Sequence, residues 1–253
     1  MTGTIPSEIG ELTALKEFIF FNNALTGTIP TEIGSLTALT YIYININELT
    51  GPIPSEIGGL TALERLILTS TDLNSPIPSE IGQLTAVGEL QISQNALEGS
   101  IPSEIGYLTA TTSFRLFNND LTGPIPSEIG LLTVLEEFDF VGNNMSGTIP
   151  SEIGQLTLMT YLSFYTNGLE GTIPSEIGQM ADLTALVGAF NNLSGSIPSE
   201  IGSMAALESL SFNDNALTGS IPSEIGNLNL QYCDLSNNQF DDTDNAPGIC
   251  FPP

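Results

Sequence analysis

The chain has 253 residues, 41% of them hydrophobic, which is enough for a packed core and argues against disorder. Three basic residues face 29 acidic ones, a formal net charge of −26 that disfavours nucleic acid and anionic membranes as partners and suits saline or divalent-rich surroundings. The absence of His removes the commonest general base, and no stretch approaches the roughly 20 unbroken apolar residues of a membrane helix.

At Thr2 the chain opens on "TGTIPSEIG", and near copies recur to the C-terminus. Aligned, they give a fixed period of 24 residues, with units 1 to 9 beginning at Leu12, Leu36, Leu60, Leu84, Leu108, Leu132, Leu156, Met180 and Met204. No secretory leader stands at Met1, so a secreted form is expected to carry its leader outside this sequence. The opening lies fourteen positions into a repeat and has no cap. We therefore expect either upstream repeats or an N-terminal edge that packs on a partner, self-assembly included.

Each unit divides into an extended half and a turn-rich half. Positions 7 and 9 are apolar and flank one outward residue, which describes a short strand. Stacked unit on unit, these strands make a parallel sheet. Position 12 is Asn in every unit except unit 3, where it is Thr71; a buried amide there serves the backbone groups of neighbouring turns as a ladder. With fewer donors at Thr71, unit 3 is expected to be looser. In the fixed phrase, Gly permits a tight bend, Pro fixes φ, and two isoleucines (Ile29 and Ile33 in one copy) plug the far side of the core. Ser or Thr before Glu is expected to cap a 3₁₀ turn, with Glu near its positive end. Gly188 takes core position 9 between Phe164 and Phe212, whose rings are expected to lean into the gap, with a small ligand pocket as the alternative.

After Gly226 the register shortens. The sequence divides as an array over 1–226, a partial repeat and nine full ones, followed by a final shortened repeat and C-terminal cap over 227–253. The cysteines, Cys233 and Cys250, lack metal-site spacing. A disulfide closing the end of the core is the expectation, and a free buried Cys233 the alternative. Asp241, Asp242 and Asp244 offer a Ca²⁺ site or a solvated acidic tail; their spacing fits no EF-hand.

The pattern L-x-x-L-x-L-x-x-N-x-L-x-G-x-I-P resembles the plant-specific 24-residue class of leucine-rich repeats, as in receptor-like kinase ectodomains and polygalacturonase-inhibiting proteins. The S-E-I-G-x-L-T-A-L wording and the scarcity of Lys and Arg look most like diatom-type algal members. The resemblance covers residues 2 to about 240. It implies an α/β solenoid, a curved right-handed superhelix with a concave parallel β-sheet and short 3₁₀ turns on the convex side. It also implies binding of proteins, peptides or glycans outside the cell.

No phosphate loop, nucleophile elbow or metal motif occurs, so the chain is not expected to be an enzyme or to need a cofactor beyond a weak Ca²⁺. Positions 5, 6, 8, 10 and 11 are expected to point outward from the sheet. They hold all three basic residues, Lys16, Arg65 and Arg115, together with Phe21, Tyr41, Tyr43, Phe117, Tyr161, Tyr165 and Phe190. Aromatics with Arg suit a protein, peptide or glycan face, although β-propensity alone also places such rings on strands. The alternative is a structural surface or matrix element using the column Glu8, Glu32, Glu56 and onward to Glu224 for divalent cations or assembly. A lower alternative is ice binding by hydroxyl arrays, interrupted here by Pro52, Pro76, Glu98, Pro124 and Glu170. Asn144 and Asn192 match the N-glycosylation acceptor pattern of a secreted protein.

Overall fold

A computed structural model describes residues 1–242 and Cys250. The 24-residue period becomes one turn of a solenoid. Ten parallel three-residue strands, from Glu17–Ile19 and Tyr41–Tyr43 to Ser209–Ser211 and Tyr232–Asp234, stack in chain order into one continuous sheet. The register is direct: Phe18 lies beside Ile42, Ile42 beside Leu66, and Leu210 beside Cys233. One inward residue per strand therefore builds a continuous core column.

Each turn contributes the same inward set. In unit 2 these are Leu36, Leu39, Ile42, Ile44, Leu49, Ile53 and Ile57, none more than 2% exposed. Phe114, Phe138, Phe140 and Phe164 form a spine of contacting rings through the middle of the core, with centroids 4.6 to 6.0 Å apart. The ring of Phe164 meets Phe212 across Gly188 at 6.2 Å. A Cβ on Gly188 would fall 2.3 Å from Phe164 and 2.6 Å from Phe212. The rings fill the space that the missing side chain leaves, so the pocket considered there does not exist.

The asparagine ladder is present and points backwards along the array. Asn119 Nδ2 donates to its own Leu116 carbonyl (2.9 Å) and to that of Ile92 in the preceding unit (3.1 Å), while its Oδ1 accepts the Leu97 amide (3.1 Å). Each such side chain thus serves backbone groups in two turns. Thr71 has only a hydroxyl, within reach of the Leu68 carbonyl (3.3 Å) and Asn95 Oδ1.

Two features depart from the sequence reading. The first is a second parallel sheet, formed where the chain leaves the ladder residue. Its strands include Thr2–Thr4, Ala24–Gly27 and Glu48–Gly51, and they run in order as seven strands followed by four. The second concerns the 3₁₀ turns, such as Ser55–Gly59. They are present in every copy of the phrase, but Ser does not cap them. Pro54 occupies the N-cap in an extended conformation, and the turn closes through the Ile57 amide on the Pro54 carbonyl (3.0 Å). Ser55 is already inside the turn, so its hydroxyl bonds the neighbouring Glu56 carboxylate instead (3.3 Å).

At the C-terminus Cys233 and Cys250 are joined by a disulfide across 17 positions, and both are buried. The bridge lies at the last described strand, Tyr232–Asp234, and closes the core beside it. Of the three aspartates considered for Ca²⁺, Asp244 and the side chain of Asp242 lie outside the described residues, and Asp241 is exposed. Among the described residues no helix is long and apolar enough to cross a membrane.

Candidate binding face

Alternation on the ten-strand sheet sends position 7 into the core and positions 6 and 8 to the concave side. All ten residues expected to form a binding face retain solvent exposure. They are not one patch. Lys16 and Phe21 sit in unit 1 at the N-terminal end of the sheet, Phe117 is half-buried, and the remaining residues fall into two groups.

The first group spans units 2 to 6. Tyr41 donates its hydroxyl to Glu64 (2.9 Å), and that bond raises the phenol above its ordinary range. Arg65 donates to the Tyr43 hydroxyl (3.2 Å), lies 5.9 Å over the Tyr41 ring and pairs with Glu89 at 3.4 Å. Gln91 donates to the other oxygen of Glu89 (2.6 Å). Arg115 forms a two-pronged pair with Glu137, at 2.8 and 2.6 Å, and Ser113 adds a third bond to the same carboxylate (3.1 Å). Planar guanidinium against carboxylate fixes both side chains. In so acidic a chain both arginines are neutralised internally rather than held free for an anion.

Beside this pair stands Asp139. One oxygen accepts the Val141 amide (3.2 Å), and burial raises its carboxyl above the ordinary value. Burial likewise raises the neighbouring Tyr161 phenol.

The second group spans units 7 to 9. Tyr165 and Phe190 meet edge to face, with centroids 5.2 Å apart. Positions 6 and 8 of units 8 and 9 hold only Ala185, Val187, Ser209 and Ser211, which makes a low, uncharged floor beside the aromatic pair.

The outward rule is too simple at two positions. Ser93 and Ala189 at position 10 are fully buried, whereas the larger Phe21 and Tyr165 at the same position are exposed. At position 8, Ile67, Ser163 and Ser211 are covered by their neighbours. Position 11 takes a left-handed backbone in every unit, with φ of 57° at Ile46, 55° at Thr166 and 54° at Phe190. Nothing in the apolar pattern signals that turn. The recurrence of Asn and Gly at Asn22, Asn118 and Gly142 is the only trace of it.

The other faces are ordered too. The glutamate column runs along the 3₁₀ turns, each carboxylate taking the hydroxyl of the residue before it. Among the described residues no three His, Cys, Asp or Glu converge to hold a metal ion. The second sheet turns the T-G-T phrases outward in a staggered register, Thr2 beside Ala24, Thr4 beside Thr26 and Thr26 beside Glu48, and Thr2, Thr4, Thr26, Thr28 and Thr50 are all exposed. Asn144 and Asn192 are exposed on the seven-strand and four-strand runs respectively, two repeats apart.

A leucine-rich repeat profile matches residues 134–156, 206–228 and 229–250. No curated protein sequence matches the chain. Solved structures do. The complex PEPR1–AtPEP1 is 32% identical with a TM-score of 0.90, covering 98% of this chain and 35% of its own. The plant peptide hormone receptor RGFR1 in complex with RGF2 is 35% identical with a TM-score of 0.86, covering 94% of this chain and 42% of its own. A plant ice-binding protein is 30% identical with a TM-score of 0.74, covering 88% of this chain and 72% of its own. The chain thus spans less than half the length of those receptor structures.

Proposed function

We propose, because this chain belongs to the leucine-rich repeat family, that it is a non-catalytic extracellular module that recognises a protein or peptide through its concave strands. The observation that carries this reading is the concentration of bonded arginines and exposed aromatics on the ten-strand sheet, while the scaffold positions repeat. A solved structure of similar shape supplies a precedent, the plant peptide hormone receptor RGFR1 in complex with RGF2. The Cys233–Cys250 bridge supports an oxidising compartment. The exposure of Asn144 and Asn192 is compatible with glycans on the flank, away from the concave face. We read the wording of the fixed phrase as that of an algal member. The test is capture from native extracellular medium with wild-type protein and a Tyr43→Ala/Arg115→Ala variant. Capture of a partner that the variant fails to hold supports the reading; equal capture by both contradicts it.

A second reading rests on the second sheet. Its exposed Thr hydroxyls are the feature that an ice lattice would meet, and the similar plant ice-binding protein favours considering it. Pro52, Pro76, Glu98, Pro124 and Glu170 interrupt the hydroxyl pairs, which stay intact at Thr2/Thr4, Thr26/Thr28, Ser146/Thr148, Ser194/Ser196 and Thr218/Ser220. Inhibition of ice recrystallisation that is lost in Thr26→Tyr and retained in Tyr43→Ala would favour this reading over the first.

A further inference from the structure

We propose that the occupant of the concave face is an extended peptide that places a basic side chain against Asp139 in unit 6 and an apolar side chain on the floor of units 8 and 9. The proposal rests on the peptide-recognition reading above and adds the ligand's chemistry and direction.

Charge fixes the basic end. Across units 3 to 6 both guanidinium groups are already committed, Arg65 to Glu89 and Arg115 to Glu137. Glu137 already accepts three hydrogen bonds, two from Arg115 and one from Ser113. Asp139 holds one backbone amide, and among the described residues no protein donor reaches its second oxygen. The patch therefore carries surplus negative charge with an acceptor open to the concave side, in a chain whose net charge is −26. An acidic ligand would meet repulsion there, and a Lys or Arg would find both a hydrogen-bond acceptor and a favourable field.

Relief fixes the apolar end. From unit 8 the floor drops to Ala185 and Val187, followed by Ser209 in unit 9 with Ser211 covered beside it, and positions 6 and 8 carry no charge. The Tyr165–Phe190 pair stands beside it as a wall, with Phe190 45% exposed and held in a left-handed backbone that a bulky residue adopts at a cost. A shallow trough of small residues against exposed rings takes an aliphatic or aromatic side chain. Three strand spacings separate unit 6 from unit 9, roughly 14 Å at about 4.8 Å each, which an extended peptide covers in about four residues. The basic and apolar side chains should therefore stand about four positions apart.

The test is selection of random twelve-residue peptides displayed against the immobilised chain. Enriched peptides are expected to share a Lys or Arg with an apolar residue about four positions away. Asp139→Asn, which keeps the acceptor for Val141, should weaken the best of them about tenfold. Ala185→Arg should abolish binding by blocking the floor. Unfolding midpoints no lower than wild type show that both variants are folded. Acidic or charge-indifferent peptides, or enriched peptides that bind both variants as they bind wild type, overturn the proposal. If that occurs while Tyr43→Ala/Arg115→Ala still loses its native partner, only the ligand chemistry assigned here falls. If that variant also captures normally, the concave-face reading falls with it.

Discussion

At the scale of single residues, the structure separates conformational demands from packing demands. Ile46 shows the first. Its side chain is half exposed and β-branched, yet its φ is 57°. Asn occupies the same position in units 1 and 5. Ile46→Asn should therefore stabilise the chain by about 1 kcal/mol, read as a higher urea midpoint. The second demand lies in the fixed phrase. Its final Gly packs against the next repeat: a Cβ on Gly82 would sit 2.3 Å from the Glu104 carbonyl oxygen, whereas one on Gly226 would meet nothing within 4 Å. Gly82→Ala should cost about 2 kcal/mol and Gly226→Ala less than about 0.5, a contrast that the repeat pattern alone would not reveal.

Asp139 gives a pH test at the same scale. Burial raises its folded carboxyl above the ordinary aspartate range. Between the unfolded and folded values the native state holds more protons than the unfolded one, so stability falls as pH rises through that window. Asp139→Asn removes this dependence. The variant should be more stable than wild type at neutral pH and equal to it below the ordinary aspartate range. The facing charges are Glu137, which adds to the upward shift, and Arg115, which opposes it. An equal difference at both pH values would contradict the assignment.

At the scale of elements, what the sequence discloses depends on how many positions encode each element. The concave strands were legible because positions 7 and 9 are apolar in nearly every unit. The ladder was legible because Asn recurs at one position. The second sheet was not, since only Leu49 and its equivalents point inward there, and one apolar residue beside Gly and Pro does not establish a period of two. The N-cap was misassigned for a local reason: Pro can stand at the cap in an extended conformation, which moves Ser one place into the turn. The C-terminal closure was legible from two cysteines alone. Cys250→Ser should lower the stability of the final units by about 3 kcal/mol, the loop-closure scale for such a span. Hydrogen exchange should accelerate near Tyr232–Asp234 and remain unchanged near Tyr41–Tyr43, because each repeat contacts only its neighbours.

At the scale of the whole molecule, repetition and variation serve different ends. The fixed phrases build two flanks of ordered carboxylates and hydroxyls, and the variable strands build a polar network followed by an uncharged trough. The sequence names candidate residues by their outward positions but not their division into two groups, because ion pairing depends on which side chains the register places together. Arg115 meets Glu137 only because units 5 and 6 stack in register. The central claim is recognition through this face, and the chain's own acidity allows a direct measurement. Carbodiimide labelling of carboxylates, read by mass spectrometry with and without the captured partner, reports which acids become covered. Binding of the partner is expected to protect Glu89, Glu137 and Asp139 with the column from Glu8 to Glu224 labelled as before. Protection of that column, with the three concave acids unchanged, would contradict that claim.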